Sequence, residues 1–70
     1  MNRNLRRTLE GIEEAKEVQH RAVALKYIEL VCAEAPPTSS KLAELDDEVN
    51  KLIAIDNKRQ MVLQVATTIA

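Results

Sequence analysis

The chain has 70 residues, 46% of them apolar but only one aromatic, with ten basic and eleven acidic side chains for a formal net charge of −1. That balance excludes a strong overall field for nucleic acid or anionic lipid. The length allows one domain, whose core rarely supplies more than about 3–5 kcal/mol without a staple.

Cys32 has no second thiol to pair with, and His20 is the one histidine, so neither an internal disulfide nor a zinc-type ligand set can be assembled. No cofactor or metal is expected, and oligomerisation or a partner becomes the expected staple. The opening stretch MNRNLRRTLEG lacks the continuous apolar core of a secretory signal, and residues 22–33 are too short and too charged for a membrane span. The expected location is therefore cytoplasmic.

Ala, Leu, Glu, Lys and Arg are abundant while Gly11, Pro36 and Pro37 are the only residues of their kinds, a composition that predicts an all-α chain. The spacing predicts a helix over about 3–34, a turn at 35–39 and a second helix over about 40–68. The result is one domain, an antiparallel two-helix hairpin with arms of ~48 and ~43 Å.

The first helix changes character along its length. Leu5, Leu9 and Ile12 form a narrow apolar stripe, opposite Arg3, Arg6, Arg7, Glu10, Glu13, Glu14 and Glu17. Such a stripe needs one neighbour. From Val18 to Ala33 the apolar residues surround the helix, so one neighbour cannot cover them. Two seams can be traced here. Ile12, Lys16, Gln19, Val23, Tyr27 and Leu30 form one, whose apolar members are assigned to the hairpin core with Leu5 and Leu9. Ala15, Val18, Ala22, Leu25, Ile28 and Cys32 form the other, assigned chiefly to an oligomer interface.

The turn APPTSSK places two prolines where a helix cannot continue, followed by Thr38, Ser39 and Ser40, each able to cap the next helix. In the second helix Leu42, Leu45, Val49, Leu52, Asp56, Arg59, Leu63 and Ala66 keep a heptad spacing. Of these, Leu45, Val49, Leu52 and Leu63 are assigned to the hairpin core. Ile55, Val62 and Ile69 flank the stripe and join the expected oligomer interface, so the hairpin is expected to dimerise into a four-helix bundle.

Asp56 and Arg59 interrupt the stripe. Either they join Lys16 and Gln19 in a polar layer that fixes register, or the helix rotates, packs through Ile55 and Val62, and leaves these charges in water. If the turn centres near residue 37, position n faces roughly 74 − n.

No catalytic constellation is present. Cys32 and His20 lie twelve residues apart, ~18 Å along one helix, and no Glu-x-x-His signature occurs. The surplus apolar surface predicts a non-catalytic homo-oligomer, a dimer by preference, that binds another protein as a small regulator, adaptor or inhibitor. The alternative is a nucleic-acid-binding regulator using Arg3, Arg6 and Arg7 of paired chains, although Glu10, Glu13, Glu14 and Glu17 follow on the same face. Neither a membrane nor a small-molecule substrate is expected.

Overall fold

The computed structural model of the chain describes the backbone of residues 3–69 and the side chains of residues 3–68. Two helices account for nearly all of it, α1 (Arg3–Cys32) and α2 (Ser39–Ile69), packed as a rod of 53 × 16 × 12 Å. The bonds Lys16–Asp56, Lys26–Glu44 and Glu13–Arg59 join early residues of one helix to late residues of the other. The hairpin is therefore antiparallel.

The ends of the helices follow from local chemistry. α1 stops at Cys32, two residues before the expected boundary, because the ring of Pro36 obstructs the carbonyl four residues earlier and the residue before a proline avoids helical angles. At the other side of the turn Thr38 is the cap. Its Oγ1 accepts the main-chain N–H of Lys41 at 3.2 Å, and its carbonyl accepts the N–H of Leu42 at 3.0 Å. The hydroxyl thus satisfies one of the four donors left open at a helix start. α1 runs unbroken through Gly11, and no described residue has a positive φ.

The seam of α1 runs through residues 5, 9, 12, 16, 19, 23, 26 and 30, steps of four and three in strict alternation. Ile12 is buried, and Leu5, Leu9, Val23 and Leu30 are half-buried along it. Across from them Leu45, Val49, Leu52 and Leu63 are half-buried and Ala66 is buried. Tyr27 corrects the expectation: it is 60% exposed, and Lys26 occupies the seam instead. The alternating steps lead from Val23 to 26 and not to 27, and lysine can lay its methylenes on the seam while its ammonium reaches water and carboxylates.

Only Ile12 and Ala66 are buried apolar residues among those described. The chain exposes 5606 Å², where a compact protein of 7.9 kDa exposes about 4,400 Å². The excess of about 1,200 Å² is surface that a two-helix rod has no third element to cover.

Candidate interaction surface

The polar residues on the seam bond across the hairpin, but not as one layer. Lys16 Nζ meets Asp56 Oδ1 at 3.1 Å, with side chains 38% and 46% exposed. Arg59 Nε pairs with Glu13 Oε1. Gln19 turns to a different partner: its Nε2 donates to the main-chain oxygen of Glu48 at 2.8 Å and to Glu48 Oε2 at 2.6 Å. Because a main-chain carbonyl only accepts, the amide orientation of Gln19 is fixed by chemistry.

Lys16, Gln19, Asp56 and Arg59 therefore split into three separate ties. Glu13 and Glu48 complete two of them and were absent from the expected layer. Their signal in the sequence was their place directly beside the seam, Glu48 next to Val49 and Glu13 next to Ile12. Lys26 forms the fourth tie, to Glu44 at 3.3 Å, and also meets Glu29 of its own helix at 3.8 Å. The bonded pairs set a register a few residues short of the one expected from a turn at residue 37.

Two groups have shifted affinities for protons. The hydrogen bond from Gln19 holds the Glu48 carboxyl below its ordinary 4.5, helped by Lys51 at 3.2 Å. The hydrogen bond to Glu44, with the charges of Glu44 and Glu29, raises Lys26 above its ordinary 10.5. Both shifts have the sign that favours the ionised pair. These ties anchor the hairpin internally and leave its flanks open.

The two broad sides of the rod differ. Val18, Ala22 and Leu25 lie a quarter to a third of a turn to one side of the α1 seam, whereas Glu13, Glu17 and His20 lie to the other. On the first side Leu5 and Thr8 share a groove with Lys58, Met61, Val62 and Val65. Farther along, Gly11 and Ala15 share one with Ile55 and Lys58. This side comes from both helices and is apolar between Arg7 and Lys58, which also line these grooves. The opposite side is lined by Glu13, Glu14, Lys16, Glu17, His20 and Arg21 on α1, and by Gln60, Gln64 and Thr67 on α2.

Of the residues assigned to an oligomer interface, Val18 (66%), Leu25 (67%) and Ile28 (54%) are exposed in the single chain. Cys32 is exposed as well, while Ala22, Ile55 and Val62 are half-buried. The side chain of Ile69 lies outside the described residues. Toward the turn the polar side itself gives way to Ala24, Tyr27 and Val31, all exposed, so from Ala22 to Cys32 the uncovered surface of α1 is apolar apart from Glu29.

Arg3, Arg6 and Arg7 are exposed at the open end. Among the described residues no group of three His, Cys, Asp or Glu side chains converges as a metal site, and no helix is long and apolar enough to cross a membrane. Compared with protein-family models, curated proteins and solved structures, the chain matches none.

Proposed function

We propose that the chain is a non-catalytic interaction protein that dimerises into a four-helix bundle through its apolar side and binds another protein as a regulator, adaptor or inhibitor. The observation that carries this reading is the exposure of Val18 and Leu25, at 66% and 67%, on the same side of α1 as Gly11 and Ala15, which share a groove with Ile55. Large apolar residues exposed together on one side of a small protein mark an interaction surface. The excess of about 1,200 Å² also exceeds the ~800 Å² per partner that a standard interface covers. After dimerisation through this side, Tyr27 and Val31 stay outside the bundle near the turn, where a target protein would be held.

Light scattering at low micromolar concentration tests the assembly: a stable helical dimer is expected, and Leu25→Glu or Ile28→Glu should dissociate it. A well-folded wild-type monomer refutes the proposal.

A second reading is favoured by the base-rich open end. Arg3, Arg6, Arg7, Lys58 and Arg59 stand there against Glu10 and Glu13. If this end contacts phosphates, retention on a nucleic-acid column should fall steeply between low and moderate salt and vanish when the three N-terminal arginines are replaced. Absence of retention at low salt eliminates it.

A further inference from the structure

Charge is segregated along the rod. Residues 24–50, nearest the turn, carry Lys26 and Lys41 against Glu29, Glu34, Glu44, Asp46, Asp47 and Glu48, a net of 2 − 6 = −4. The open end, residues 3–13 and 58–68, carries five bases against two acids, a net of 5 − 2 = +3. Lys16, Arg21 and Lys51 balance Glu14, Glu17 and Asp56 between them. A near-neutral protein thus has an acidic end and a basic end, separated along a 53 Å axis.

The apolar side has its own polarity. On α1 the positions 11, 15, 18, 22 and 25 are centred on Val18, which is also the middle of the helix Arg3–Cys32. Gly11 stands at one end of the run and Leu25 at the other. Nothing among the described residues calls for glycine there, since a Cβ built on Gly11 meets none of their atoms within 4 Å. Glycine inside a helix is disfavoured relative to alanine, so a close approach from outside the chain would account for it.

We infer that the second copy packs on this side in the opposite direction, its turn beside the open end of the first, with α1 crossing α1 at Val18. The inference rests on the dimer proposed above and specifies its geometry. In this arrangement the −4 end of each copy lies beside the +3 end of the other, whereas the same-direction arrangement stacks like charges at both ends. The twofold places Leu25 of each copy over Gly11 of the other, large against small. The contact is self-complementary, as a twofold requires. It also separates the two sets of N-terminal arginines and sets each against acidic residues of the other copy, which disfavours a paired-arginine phosphate site.

The native Cys32 provides the test. It is exposed and lies fourteen residues from Val18, about 21 Å along α1, so nitroxide labels on the two copies should sit about 42 Å apart in the opposed arrangement. In the same-direction arrangement they share one end of the bundle, within ~20 Å. A distance near 42 Å by pulsed electron resonance supports the proposal, and one below ~25 Å overturns it. Absence of any dimer at labelling concentration instead overturns the dimer itself.

Salt supplies an independent readout. Added salt should weaken the opposed dimer, because it screens attraction between the ends, and tightening with salt contradicts the proposal. Gly11→Leu should weaken dimerisation at least tenfold without loss of helix content. Unchanged dimerisation overturns the pairing of Leu25 with Gly11.

Discussion

Gln19 of α1 holds the main-chain carbonyl and the carboxylate of Glu48 with one amide nitrogen, at 2.8 and 2.6 Å. One side chain thereby joins the first helix to both the backbone and a charge of the second. Replacing Gln19 by alanine should raise the Glu48 carboxyl toward its ordinary 4.5, read from its own NMR titration. Loss of the bond to the carbonyl should cost about 1 kcal/mol at neutral pH, read from denaturant midpoints. An unmoved Glu48 titration contradicts this account of its acidity.

The same two shifts set the pH dependence of stability. Glu48 is more acidic folded than unfolded, so its contribution is present above 4.5 and is lost as pH falls through its lower folded value. Lys26 is more basic folded than unfolded, so its contribution is present below 10.5 and is lost as pH rises through its higher folded value. Thermal midpoints should therefore fall at both extremes. Glu48→Gln should flatten the acidic limb alone and Lys26→Met the alkaline limb alone; the reverse pattern contradicts the assignment.

Lys16 and Asp56 interact at 3.1 Å but are about two-fifths exposed, so solvent screens the pair. A double-mutant cycle should give a coupling of about 0.2–1 kcal/mol. Lys16→Leu combined with Asp56→Leu should raise stability, because apolar contact then replaces a solvent-screened ion pair on the seam. A coupling of several kcal/mol would show that the pair is effectively dry.

Three hydroxyl residues stand together at the start of α2, and Thr38 caps it. Thr38→Ala should cost about 1 kcal/mol, whereas Ser39→Ala and Ser40→Ala should each change stability by less than about 0.5 kcal/mol. Equal losses at all three positions would mean that the start of α2 shifts freely among them.

Ile12 and Tyr27 separate the seam from its surroundings. Ile12, only 5% exposed, should cost about 2–5 kcal/mol on truncation to alanine. Tyr27→Ala should cost less than about 1 kcal/mol in urea unfolding, since its ring is 60% exposed. Comparable losses would put Tyr27 back on the seam.

The two helices, the proline-enforced turn, the three candidate caps and most of the seam are legible in the sequence, because each rests on local forces. Pro36 acts on a carbonyl four residues away, Thr38 on an N–H three residues away, and Leu5, Leu9 and Ile12 share a face through helical periodicity alone. The tertiary structure decided between Lys26 and Tyr27, split the polar residues into three ties, and drew in Glu13 and Glu48. Those outcomes depend on how far each helix is rotated about its own axis against the other. From Val23 a step of three or of four stays near the same face, and hydrophobicity favours Tyr27. Only the packed partner, which fixes the rotation of both helices together, selects Lys26 and thereby leaves Tyr27 exposed.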